Sequence, residues 1–243
     1  MATTTRNRAL TPGRKAMLVV GGLFAFALIA VGTWTAINAL GTTTETRSLT
    51  LAPTAGRLIV RTDGDIQITA GSGSDVQITE RIRHSIGRPR VEETSTPDGV
   101  VLDGDCAWYS SICDVNFQVT VPSGLTVDAT TSAGDITLSG ATGNLRLSSS
   151  AGDVTATGLR SGSVEATSSA GDVQVGFDAP PTAVTVHSSA GDVNVTLPQV
   201  DGGYRVHVST SAGDQDVRVP IDPQSTRVID ATTSAGDVGV RLG

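Results

Sequence analysis

The sequence predicts an all-β fold: a β-solenoid of β-helix or β-roll kind, made of two-stranded coils of about 18–23 residues behind one N-terminal transmembrane helix. Three observations predict it. The tetrapeptide Ser-Ala-Gly-Asp begins at Ser132, Ser150, Ser169, Ser189, Ser211 and Ser234, at spacings of 18, 19, 20, 22 and 23 residues. Apolar and polar residues alternate on both sides of each copy. An uncharged apolar run extends from Ala16 to Leu40. A repeat of this period is one coil, which buries its apolar face only by stacking on its neighbours.

The strands follow from the register of the repeat. Before the turns stand Val127 and Ala129, Leu145 and Leu147, Val164 and Ala166, Val184 and Val186, Val206 and Val208, and Ile229 and Ala231. After them stand Ile136 and Leu138, Val154 and Ala156, Val173 and Val175, Val193 and Val195, and Val238 and Val240. Alternation of period two means strands with one buried face. The Ala-Gly pair suits a tight turn, where Gly adopts positive φ without steric cost. The fifth copy departs from this. Gln215 stands where an apolar residue is due and the pair resumes at Val217 and Val219, which predicts a two-residue bulge.

Length varies on the other side of the coils. From the last apolar residue of one coil to the first of the next, the gaps are 7, 8, 9, 11 and 10 residues. One edge of the solenoid is therefore regular and the other carries variable loops, such as Pro180-Pro181 and Pro198 to Gly203. Such loops either bind partners or merely tolerate insertion.

The N-terminal part divides further. Residues 1–15 form a basic tail with Arg6, Arg8, Arg14 and Lys15, and residues 16–40 are long enough to cross a bilayer of about 30 Å. The positive-inside rule places the tail in the cytoplasm and the rest outside the cell membrane, with Trp34 at the outer interface. A cleaved signal peptide is the competing reading, but the run is long for one and no small-x-small site follows. Residues 41–55 are a Thr-rich linker merging into a first strand, 56–125 an irregular part of the solenoid, and 126–243 the regular repeats. Thr62-Asp63-Gly64-Asp65-Ile66 is a degenerate copy of the later turns, and Arg81 to Asp105 is an excursion from the pattern.

Cys106 and Cys113 are the two cysteines of the chain, and export makes a local disulfide the expectation. The bridge would staple the Trp108-Tyr109 loop. Beyond residue 40 the chain carries 13 Arg against 24 Asp and Glu, a net charge of −11. That balance argues against nucleic acid and anionic lipid surfaces as partners. Arg81, Arg83, Arg88 and Arg90 with His84 form one local basic patch, suited to an anionic glycopolymer or simply solvated.

Stacking would align Asp135, Asp153, Asp172, Asp192, Asp214 and Asp237 in a column. Carboxylates at that spacing suit calcium. Calcium-binding β-rolls, however, use extra glycines to free carbonyl ligands, and here each turn has one. The reading adopted is that each Asp accepts hydrogen bonds from turn amides, its own or a neighbouring coil's, so that no metal site is assigned. The hydroxyl run before each turn, as in Ser148-Ser149-Ser150, would bond along the stack. His84, His187 and His207 share no column, and neither a nucleophile motif nor a phosphate loop occurs. No catalytic or cofactor-binding residue is therefore assigned, and no cofactor is expected.

The basic tail, the apolar span with its Trp and the repeated Ala-Gly-Asp-Val turns resemble the bacterial putative-adhesin domain family of unknown function. Residues 56–243 carry the likeness, including Val119-Thr120-Val121-Pro122. The resemblance implies a β-solenoid on the cell envelope and brings no catalytic residues. The function expected is a non-enzymatic, membrane-anchored binding or structural module whose partner is an envelope polymer or protein. The alternatives are an envelope-stress regulatory protein acting through membrane partners, which the family's company implies, and a polysaccharide-acting β-helix enzyme. The chain ends in strand register at Val238 to Gly243 with no residues left for a cap, so this edge is expected either to be guarded by Arg241 and the loop from Asp222 to Arg227 or to pair with another molecule.

Overall fold

The structure, a computed structural model, describes residues 28–29, 42–53, 56–85, 87–106 and 112–243. The transmembrane helix and the Trp108-Tyr109 loop lie outside the described residues, apart from Leu28 and Ile29, which are helical. Among the described residues no helix is long and apolar enough to cross a membrane. The chain divides into residues 1–42 and 43–243, and the second unit holds all the strands described below.

The alternating sequence forms strands in this order. The first part contains β1 (Thr43–Leu51), β2 (Arg57–Thr62), β3 (Ile66–Gly71), β4 (Val76–His84), β5 (Arg90–Thr96), β6 (Gly99–Asp105) and β7 (Cys113–Pro122). The repeats contribute β8 (Thr126–Thr131), β9 (Ile136–Ser139), β10 (Leu145–Ser149), β11 (Val154–Leu159), β12 (Ser163–Ala170), β13 (Val173–Phe177), β14 (Ala183–Ala190) and β15 (Val193–Leu197). The last four are β16 (Arg205–Ala212), β17 (Gln215–Arg218), β18 (Val228–Ala235) and β19 (Val238–Leu242).

Each coil gives one strand to each of two sheets. One sheet runs β1-β4-β7-β3-β9-β11-β13-β15-β19-β17 and the other β16-β18-β14-β12-β10-β8-β2-β6-β5. Coils pair parallel and in register, as in Leu145 opposite Val127 and Val164, so equivalent apolar residues stack in columns. Those columns, from Leu58 to Val240, form one buried core between the sheets. At about 25 cal/mol per Å² of apolar area, this stacking is the main stabilising term, because no coil can bury its apolar face alone.

Two features refine the sequence reading at the start of the solenoid. The excursion at Arg81 to Asp105 is built of strands: the end of β4, all of β5 and all of β6. The pairs β1–β4, β4–β7 and β5–β6 are antiparallel and close that end of the stack. The β6–β7 coil also lies outside the β2–β3 coil that precedes it in sequence.

The other end is corrected more deeply. The last coil, β18–β19, sits between β14–β15 and β16–β17, so the fifth copy of the repeat ends the stack. The C-terminal strand is flanked by β15 and β17 and is not the edge. No bulge is present: Gln215 stands opposite Val238 and Val217 opposite Val240. The physical reason is the polar residue itself. Within the stack an inward Gln amide would be buried without partners, at a cost of roughly 1–3 kcal/mol, whereas at the end Gln215 is exposed. The two longest gaps in the repeat, 11 and 10 residues, flank this copy and supply the chain needed to pass over a layer and return.

These two connections lock each other. Tyr204 is fully buried and its hydroxyl donates to the Pro198 carbonyl at 2.7 Å. Its backbone bridges Ile221, and Ser225 Oγ donates to the Gly203 carbonyl at 2.9 Å. Gly203 has φ +58 and a side chain there would meet the Pro220 carbonyl at 2.5 Å, so glycine is required.

Candidate functional site

The Ser-Ala-Gly-Asp turns form two hydrogen-bonded ladders. Each Asp amide donates to the Asp carboxylate of the adjoining coil: Asp135 to Asp65 at 3.0 Å, and Asp153 to Asp135, Asp172 to Asp153, Asp192 to Asp172, Asp237 to Asp192 and Asp214 to Asp237 at 2.8 Å. Below Asp65 the place is taken by Asn116, whose Oδ1 accepts from the Asp65 amide. The degenerate turn at Thr62 to Ile66 is thus a true member of the column. One inward hydroxyl per coil makes the second ladder. Ser149, Ser168, Ser188, Thr233 and Thr210 each donate at 2.9 Å to the glycine carbonyl of the adjoining turn. The turns approach so closely that a β-carbon on Gly134, Gly152, Gly171, Gly191, Gly213 or Gly236 would collide with that same carbonyl.

All six Asp of the predicted column are therefore brought together, in the spatial order 135, 153, 172, 192, 237, 214. Five of these carboxylates accept an amide of the adjoining coil, and Asp214 ends the column. Among the described residues no three His, Cys, Asp or Glu side chains gather as metal ligands. Cys106 and Cys113 form a disulfide, joining the ends of β6 and β7 where the other coils have a glycine turn.

The basic patch does not assemble. Arg81 and Arg83 lie on the outer face of β4, while His84 points inward and is buried. Arg88 pairs with Glu45 at 3.2 Å and Arg90 with Glu92 at 3.5 Å. His187 bonds Thr232 through Nδ1 at 3.0 Å, and His207 stands in another row, opposite Asp230.

The sequence reading missed a buried acid. Glu80 is fully buried on the inner face of β4, beside Glu93 of the opposite sheet. Ionised, neither of its oxygens has a donor; protonated, it donates to Glu93. Burial first, then the hydrogen bond to Glu93 and its charge, push Glu80 up to about 8 against the lowering pull of Arg47. The signal was present: Glu80 falls at an inward position of the alternation Val76, Ile78, Glu80, Ile82.

Two hollows mark the outer faces near the antiparallel end. One, of about 260 Å³, spans β1, β4, β7 and β3 and is lined by Thr46, Thr79, Arg81, Asn116, Gln118, Gln67, Asp65 and Phe117. The ladder sets Thr46, Arg81 and Asn116 in one row and Thr79 and Gln118 in the next. Gln67 lies opposite Gln118. The second, of about 410 Å³, lies on the other sheet and is rich in carboxylates, among them Asp63, Glu92, Asp103 and Asp105, with Arg61 and Arg90.

Parallel coils, one continuous core, glycine turns locked by carboxylate and hydroxyl ladders, and polar outer faces define a β-solenoid scaffold. Residues 54–242 match the family described as Toastrack DUF4097, and the chain belongs to that family. No curated protein matches the sequence. Among solved structures, a "putative cell adhesion protein" of Clostridium sporogenes is similar at 10% identity and TM-score 0.54, over 83% of this chain and 100% of that one. A "putative adhesin" of Bacteroides fragilis is similar at 13% identity and TM-score 0.48, over 83% of this chain and 97% of that one. The first likeness shows the fold.

Proposed function

We propose that this chain is a non-enzymatic, adhesin-like binding module of the bacterial cell envelope. Residues 16–40 anchor it as a single-pass protein, with the basic tail in the cytoplasm and the solenoid outside. The observation that carries the binding role is the hollow across β1, β4, β7 and β3. Hydroxyls, two Gln amides, Asn116 and the Arg81 guanidinium line it on a rigid sheet face. Fixed polar groups on a stiff scaffold recognise a hydroxyl-rich or anionic polymer without having to be ordered on binding. The cell-adhesion description of the structural neighbour from Clostridium sporogenes supports the same reading.

The test is binding of the full chain, in detergent, to purified envelope polymers and to membrane extracts. Retention on a polymer, weakened at least tenfold by Arg81→Ala with an unchanged thermal midpoint, supports the proposal. Retention by membrane proteins alone supports the regulatory alternative. Turnover of a glycan, abolished by replacing one carboxylate, would replace both with an enzyme.

A further inference from the structure

The two ends of the stack differ in kind. At the antiparallel end, the inner positions carry charge: Arg47 lies opposite Glu80, and Glu45 takes the Arg88 and Arg47 side chains. Inward-pointing charges on an edge strand discourage further pairing. Among the described residues, the inner positions of the β16–β17 end carry no charge. Val206, Val208, Val217 and Val219 are only partly buried against the core, whereas the equivalent residues of the coil beneath, such as Ile229 and Val240, are fully buried. Ile221 is 59% exposed beside them.

Among the described residues, β16 and β17 are the last strands of their sheets, and the strand pattern says which backbone groups face outward there. In each coil beneath, the amide just after the turn donates to the next coil: Ile136 to the Asp153 carbonyl, Val193 to Asp237, Val238 to Asp214. Gln215 holds that position on β17. By the two-residue period of a strand, Val217 presents its N–H and C=O to the same open edge.

We propose that this end is a dimer interface, and that its occupant is the same β16–β17 end of a second copy, joined about a two-fold axis through Val217. Three considerations select that occupant. A two-fold along the sheet normal makes the facing β17 strands antiparallel, and centring it on Val217 lets the two residues exchange both backbone hydrogen bonds. The same centring sets Asp216 opposite Arg218 of the partner, twice. This complements an outer face on which Arg218 and Arg241 lie side by side and Asp216 reaches Arg218 at 2.8 Å. Head-to-tail stacking is opposed by the charges of the antiparallel end, so association closes at two. The interface is separate from the polymer-binding hollow and does not rest on that reading.

The test is sedimentation of the full chain in density-matched detergent across a concentration series. The expected result is a dimer whose dissociation constant rises at least tenfold in Asp216→Arg and returns toward the parent value in the double variant Asp216→Arg with Arg218→Asp. Both positions point outward, so the fold is undisturbed, and thermal midpoints check this. Val217→Cys supplies a second readout: air oxidation should cross-link it across the axis, while Thr94→Cys at the other end stays uncross-linked. A monomer at all concentrations overturns the proposal. So does a dimer indifferent to Asp216→Arg, which would be held by residues 16–40, or a different protein that co-purifies and is lost in Val217→Lys.

Discussion

Gly236 shows why single residues govern this stack. It has φ +140, and a β-carbon there would strike the Gly191 carbonyl, whose oxygen also accepts from Thr233. Gly236→Ala is expected to cost at least about 2 kcal/mol, since strain and the displaced hydroxyl bond add. Gly162→Ala, where nothing lies within 4 Å, should leave the thermal midpoint near the parent's. Glu80 makes the opposite kind of prediction. Its folded value of about 8 lies above the ordinary 4.5, so the folded chain binds the proton more tightly. Its contribution to stability is therefore full below pH 4.5, declines as pH rises toward 8, and is lost above that. Glu80→Gln should flatten this slope and be at least as stable as the parent at pH 8.5, measured as thermal midpoint against pH. A steeper decline in the variant would refute the shared-proton account of Glu80 and Glu93.

At the level of the element, the turn is the unit that makes one coil fit the next. Each interior Asp carboxylate joins two coils by accepting one backbone amide hydrogen bond, while like charges about 4.8 Å apart repel by about 1 kcal/mol in water. Asp172→Ala loses the acceptor for the Asp192 amide and is expected to cost about 1 kcal/mol. Asp172→Asn keeps an acceptor oxygen and removes one charge, so it should match the parent or exceed it, most clearly at low salt. Urea titration of both variants separates the two effects. The disulfide does comparable work where the glycine turn is missing. Joint replacement of Cys106 and Cys113 by Ser should cost about 2–3 kcal/mol in the loop-entropy account, with lost amide protection concentrated in β6 and β7. The strands and turns were legible because period two and a glycine turn are local. The absence of a bulge at Gln215 was not, because only the neighbour above a coil decides whether an inward amide is buried.

For the whole molecule, the order of coils makes a prediction that chain order would reverse. Strand β19 ends the chain, yet it is paired on both sides, while β17 is paired on one. Hydrogen exchange of the monomeric state should show β19 amides protected at least tenfold more than those of β17. Faster exchange in residues 238–242 than in 215–218 would mean that the last two coils stack in sequence order. The asymmetry of the ends belongs to this scale too. Among the described residues, one end carries charge at inner positions, while the other has partly buried valines and edge strands paired on one side, which is the basis for expecting a second copy there.

The solenoid, its two strands per coil, its inward columns, the aspartate column and the disulfide pair were all determined by the sequence itself. Each depends on residues close together in the chain or on a repeat that counts itself. The tertiary structure alone decided which coil neighbours which. Copies of one repeat have nearly equivalent edges, so local pattern cannot rank them. The choice falls to the burial of Gln215 against that of Ile229, Ala231, Val238 and Val240, and to the reach of two long loops locked at Tyr204. The Glu80–Glu93 pair was decided the same way, by strands from opposite sheets that meet only after the stack has closed.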